Sequence, residues 1–182
     1  MLKPSPERRG FQPSQTGTMN CRYLIAPSCR LDRCRLSPES VSFFYSESVI
    51  QRVPTKDLEA SVQHLGTQLL KPGGAFFVRT DQKDIHAQDH VDTSLWPFEY
   101  LKYSDRMYDF LSSEKLNYQN RLRESDFVRL FQDSDLEIVR IHSSLFEEDL
   151  DRIDRLKVDA RFQGYEKEDL VTRASRIVGR KP

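Results

Sequence analysis

Apolar residues along this chain group into short blocks, and each block follows one of two rhythms. "VSFFYSESVI" (Val41–Ile50) and "AFFVRT" (Ala75–Thr80) are compact runs of aromatic and β-branched residues, which predict strands. Between them, Leu58, Val62, Leu65 and Leu69 recur at spacings of three and four, the stripe of an amphipathic helix over Thr55–Leu70. Thr55 is its expected N-cap, and Asp57 and Glu59 suit the positive first turn. Lys71 suits its negative end, and Pro72 and Gly73 should stop it, with Gly73 as a left-handed cap. "AFFVRT", a continuous apolar run, predicts a strand covered on both faces.

Later blocks are shorter. "FEYLKYSDRMYDFLSS" and "ESDFVRLFQDS" predict helices, the second capped near Glu124 or Ser125. "LEIVRIHSSL" alternates as a strand, "FEEDLDRIDRLKVD" reads as an amphipathic helix, and "LVTRASRIVGRK" as a last strand. Upstream, "CRYLIAP" predicts a short strand, and residues 1–20, rich in Pro, Ser and Gln without apolar period, predict a disordered tail. Strand, helix, strand, helices, strand, helix, strand implies an α/β fold with a parallel crossover through the first helix.

Composition narrows this picture. Lys+Arg and Asp+Glu are both 28 in 182 residues, which gives no electrostatic footing for nucleic acid or an acidic membrane. No apolar run is long enough to span a bilayer, and "MLKPSPERRGFQPSQ" lacks a secretory apolar core, so the cytoplasm is the expected compartment. Cys21, Cys29 and Cys34 are an odd set without CxxC pairs, which argues for free thiols and against a metal site.

The order "SVSFFYSESVIQRVP…LEASVQHLGTQLLKPGGAFFVRTDQKD", followed by "NYQNRLRESDFVRLFQDSDLEIVR" and "RASRIVGRKP", resembles the second half of class I S-adenosylmethionine-dependent methyltransferases, in particular the type 11 group. The resemblance covers about Tyr23 to Pro182 and implies an incomplete Rossmann-like sheet, parallel strands with an antiparallel last strand and helices on both faces. It implies one domain over 21–182, truncated on its N-terminal side. It also implies S-adenosylmethionine as cofactor, near Tyr45, Ser46, Glu47 and Ser48 at the end of the family's fourth strand. The family's glycine-rich loop is not matched: no GxG occurs, Ser42 stands where the family often has Asp, and Cys29, with Asp32 displaced, stands where an acidic residue commonly meets the adenine. Only glycine lets backbone N–H groups come that close to a cofactor. An enzyme that is inactive or weak alone is therefore expected, with no measurable donor binding.

Methyl transfer to a hydroxyl needs a base. Asp81, Asp84, His86, Asp89 and His90 follow the second strand, where ligands of open α/β sheets bind. Asp84 and His86 are the candidate catalytic pair and His90 a substrate contact; the alternative is a solvated loop that caps its own turns. Asn120, Arg121 and Arg123 are candidates for holding an anionic substrate, or else for satisfying loop backbone. Trp96, Pro97, Phe98 and Tyr100 are a pocket floor or core. Small-molecule or sugar acceptors fit. A competing reading is a non-catalytic module whose exposed sheet edge pairs with a partner chain or a second copy.

Overall fold

The computed structural model describes Leu31 and residues 36–84, 96–111 and 118–182. Outside these lie the expected tail, the strand at Cys21–Pro27, the three cysteines, Asp32, His86, Asp89 and His90. Four strands form one sheet: β1 (Val41–Glu47), β2 (Leu70–Asp81), β3 (Glu137–Ser144) and β4 (Ala174–Arg180), in the order β1-β2-β4-β3. β1 and β2 are parallel, and β4 is antiparallel to both its neighbours. The expected parallel crossover and antiparallel last strand are both present.

The connection from β1 to β2 is α1 (Thr55–His64), whose last turn widens over Leu65–Leu69. Its stripe of Leu58, Val62, Leu65 and Leu69 is buried against Phe76 and Val78 of β2 and Ile177 of β4. Each such leucine contributes about 1.5–3 kcal/mol by leaving water. α3 (Glu124–Gln132) lies against the same face through Phe127 and Phe131, and the Phe131 ring stacks on Phe76 at 4.7 Å. Gly179 keeps β4 close to that pair, because a Cβ there would stand 2.4 Å from the Phe76 ring.

Three local expectations are corrected. Thr55 is the first helical residue and Pro54 precedes it, with no side-chain cap. Leu70 is already extended and pairs with Val41, so the helix ends at Leu69 and Gly73 does not cap it. Gly73 does have the positive φ that was expected (72°), but it uses it in a four-residue excursion, 71–74, between the Val41–Leu70 and Phe43–Ala75 pairs. That excursion is tied to the chain end by Gly73 N–H to the Lys181 carbonyl (2.9 Å) and Lys181 N–H to the Gly74 carbonyl (2.8 Å). The expected long helix near 98–113 is a 3₁₀ turn, Glu99–Lys102, then α2 (Asp105–Leu111), broken at Tyr103-Ser104. Phe98, Tyr100 and Leu101 turn into the protein there, which a straight helix would not allow.

A second apolar cluster sits beyond the carboxyl ends of β1 and β2. It joins Trp96, Phe98, Tyr100, Leu101 and Tyr108 to Ile153 of α4 (Glu147–Ile153), Phe162, Val171 and Leu170 of the short α5 (Lys167–Leu170). The opposite side of the sheet from α1 and α3 carries Phe43 and Tyr45, both more than half exposed, and half-buried Phe77, Arg79 and Val178. β2 is thus fully buried on one face and half-buried on the other. Among the described residues no helix is long and apolar enough to cross a membrane.

Candidate functional site

The carboxyl ends of β1 and β2 bring Tyr45, Ser46, Glu47 and Ser48 alongside Arg79, Asp81 and, just beyond, Asp84. Register sets Glu47 beside Arg79, and the Arg79 guanidinium donates to Glu47 (3.0 Å) and to Asp81 (3.4 Å). Ser48 takes a left-handed backbone (φ 53°), uncommon for a residue with a Cβ. It is held there by its N–H to the Arg79 carbonyl (2.9 Å) and its hydroxyl to Asp81 Oδ2 (2.5 Å). The Tyr45 hydroxyl donates to Glu47 and its ring stacks on Phe77. That hydrogen bond, then Arg79, holds the Glu47 carboxyl below the usual range, and the same bond pushes the Tyr45 hydroxyl up. Ser46 is buried.

Beyond β2 the chain is hooked back on itself: Gln82 N–H donates to the Arg173 carbonyl (3.0 Å), and Asp84 N–H to the Pro97 carbonyl (2.8 Å). The Asp84 side chain is half-buried close to Tyr100 and Tyr108. Burial first, with the Asp84 charge second for Tyr108, pushes the hydroxyls of these tyrosines up, so both stay neutral.

Asn120, Arg121 and Arg123 converge under this region, all at most 4% exposed. The Asn120 amide donates to the carbonyls of Ile50 (2.9 Å) and Val53 (3.0 Å), pinning the turn after β1. Arg121, at φ 58°, lies over the Tyr108 ring at 4.3 Å, donates to the Tyr103 carbonyl (2.7 Å) and pairs with Asp105, which also pairs with Arg161. Arg123 is 0% exposed. Its Nε donates to the Asp169 carbonyl (3.1 Å) and one Nη to the Gln82 carbonyl (3.2 Å) and Tyr100 hydroxyl (2.5 Å). The other Nη donates to the carbonyls of Asp169 (3.0 Å) and Thr172 (3.1 Å). A guanidinium has five N–H groups, and here the protein itself takes all of them. Arg123 N–H also donates to Asp126 (2.9 Å), so this residue, one before the expected Glu124 or Ser125, caps α3.

Trp96, Phe98 and Tyr100 are core, as one of the two sequence readings held. Sequence reasoning missed Arg79, which organises the strand ends, and Asp149, which is 1% exposed and accepts from the Trp96 indole (2.7 Å) and Arg173 (2.6 Å). Arg79 could have been found from its in-strand alternation with Phe77; Asp149, one acid among several at a helix start, left no such signal. Among the described residues one open groove runs along Trp96, Glu148 and Arg152 and another along Glu124, Tyr165 and Asp169. Neither is lined by residues 45–48 or 81–84.

A carboxylate free to accept two ribose hydroxyls, and a glycine turn at a helix start, are what a donor site uses. The described residues at these strand ends include no glycine turn at a helix start. Glu47 and Asp81 are instead each engaged through both oxygens, Glu47 by Tyr45 and Arg79 and Asp81 by Ser48 and Arg79. The described glycines lie in α1's last turn, in the excursion before Ala75, in a surface turn and in β4.

No family model and no curated protein sequence matches the chain. Solved structures do. A candidate sarcosine dimethylglycine methyltransferase from Galdieria sulphuraria superposes with TM-score 0.47 at 18% identity over 85% of this chain and 57% of its own. A chain of a Haloferax volcanii complex between a methyltransferase activator and a candidate methyltransferase gives 0.46 at 13%, over 84% of this chain and 58% of its own. An S-adenosylmethionine-dependent methyltransferase from Methanosarcina mazei gives 0.46 at 13%, over 83% and 64%. The chain thus spans under two thirds of the length of each of these three.

Proposed function

We propose that this chain is a methyltransferase-like domain carrying the acceptor side of the fold, inactive or weak by itself because its own residues do not grip the donor. One observation carries this reading: at the ends of β1 and β2, the groups that would meet a donor are bonded to each other, Ser48 to Asp81 and Glu47 to Arg79. Opening the part-buried Ser48–Asp81 contact for a ligand would cost the carboxylate a hydrogen bond, about 1.5–3 kcal/mol, whereas the exposed Glu47–Arg79 pair opens more readily.

On the acceptor side, Asp84 is the residue suited to take a proton from a hydroxyl, being a half-buried carboxylate just past a strand end. His86 and His90 follow it in sequence. Asn120, Arg121 and Arg123 act as positioning residues that fix the floor beneath it. Ser48 and Arg121, both in left-handed backbone, fit a region over-determined by its surroundings. The acceptor class is a small hydroxylated molecule or sugar. The outer edge of β1 is where another chain would extend the sheet.

The test is a transfer assay with tritiated S-adenosylmethionine and saccharide acceptors. The chain alone should transfer no label. Fused behind the glycine-rich half of a class I methyltransferase, it should transfer label, and Asp84→Asn should reduce that turnover about a hundredfold or more. Robust transfer by the chain alone would refute the proposal.

A further inference from the structure

We infer that the outer edge of β1 pairs with β1 of a second copy, joining two sheets into one across a twofold axis. This rests on the free-edge part of the reading above and names its occupant; it does not depend on donor binding.

The two edges of the sheet differ in the features that block association. β3 carries Glu137, Arg140 and His142 exposed, and its pairing slips between Ile138 and Arg140. Charges and bulges of that kind deter strand addition. β1 has no charged residue from Val41 to Ser46, and among the described residues no strand pairs with its outer side. Because Ser48 N–H points to Arg79 of β2, alternation turns the backbone groups of Phe43 and Tyr45 outward.

A twofold interface needs a surface complementary to itself, and β1 has one. "SFFYS", Ser42–Ser46, reads alike in both directions when Phe and Tyr are equated. An antiparallel pair centred on Phe44 sets Phe43 opposite Tyr45 of the second copy, twice, and Ser42 opposite Ser46. Phe43 and Tyr45 share the sheet face away from α1, are 58% and 56% exposed, and Tyr45 already stacks on Phe77. Pairing would therefore build one aromatic strip across both copies from side chains now in water. Aromatic cross-strand pairs of this kind are stabilising. The register also places Glu47 opposite Val41, so the like charges of the two copies do not face each other.

The experiment is analytical ultracentrifugation of the full chain at micromolar concentration, in parallel with the double variant Phe43→Lys/Tyr45→Lys. Wild type should sediment as a dimer. The variant should be monomeric, its dissociation constant raised about a hundredfold or more, with an unchanged circular dichroism spectrum because both side chains are exposed. In a chain with Cys21, Cys29 and Cys34 changed to Ser, Phe44→Cys, which the register sets opposite itself while both Phe43–Tyr45 pairs are kept, should cross-link two copies on oxidation, since directly opposed residues lie within disulfide reach. A monomeric wild type, a variant that still dimerises, or a cysteine pair that does not cross-link would overturn the inference. A synthetic peptide of residues 40–48 separates the causes of a monomeric result. If it binds, the edge is open but a second copy does not use it; if it does not, the edge reading fails as well.

Discussion

The apolar cluster beneath the sheet and the one beyond its strand ends are built on different terms. The first joins α1 and α3 to β2 and β4 mainly through leucine, valine, isoleucine and phenylalanine, beside small buried polar residues such as Ser61 and Thr80. The second surrounds Arg123, Arg121 and Asp149, each at most 2% exposed, and holds its rings with guanidinium and carboxylate contacts. A mainly apolar cluster tolerates substitution in proportion to volume, whereas a buried polar network fails when one member is lost. Polar residues near a presumed ligand end are therefore accounted for first as structure.

The largest expected effect follows from that difference. Arg123→Met should destabilise the protein by roughly 4–5 kcal/mol, because it strands the carbonyls of Asp169 and Thr172 and leaves that of Gln82 to the Tyr100 hydroxyl alone. Phe76→Ala, in the apolar cluster, should cost about 3–4 kcal/mol through the cavity left against Phe131. Denaturant titration ranks the two, and a milder effect at Arg123 than at Phe76 would erase the distinction.

Smaller changes sharpen it. Gly73→Val should cost about 1 kcal/mol, since its φ of 72° suits no β-branched residue although space around it is open. An unchanged melting temperature would show that the 71–74 excursion relaxes freely. Tyr165 donates to Asp126, and burial, then that carboxylate, pushes its hydroxyl up to about 12. The unfolded chain loses this proton first, near 10, so the stabilisation is complete below pH 10 and is lost as pH rises through 12. The slope should be a fraction of the ~1.4 kcal/mol per pH unit of a fully buried group. Tyr165→Phe should flatten stability between pH 10 and 12; an unaltered slope would assign the effect to the other tyrosines.

The apolar cluster was legible in the sequence because periodicity encodes it. Leu58, Val62, Leu65 and Leu69 fix which side of α1 is buried, and the branched runs fix β1 and β2. The strand-end region was legible only in position. Arg121 and Arg123 look like surface cations in any window, and their burial depends on Tyr108, Phe162 and carbonyls 18 to 49 residues distant in sequence. The break at Tyr103-Ser104 was hidden for a similar reason: Tyr100 leaves the helical path to reach the Gln82 carbonyl. Local pattern carries no record of such tertiary partners.

The most direct measurement is titration calorimetry of S-adenosylmethionine into the chain at micromolar protein concentration. A donor that loses several directed hydrogen bonds, each worth about 0.5–1.5 kcal/mol, loses affinity by orders of magnitude. No binding heat is expected from the chain alone, and binding should return when a glycine-rich methyltransferase half is fused upstream. Tight binding by the chain alone would contradict the account, because residues other than the self-paired Glu47, Ser48, Arg79 and Asp81 would then be holding the donor.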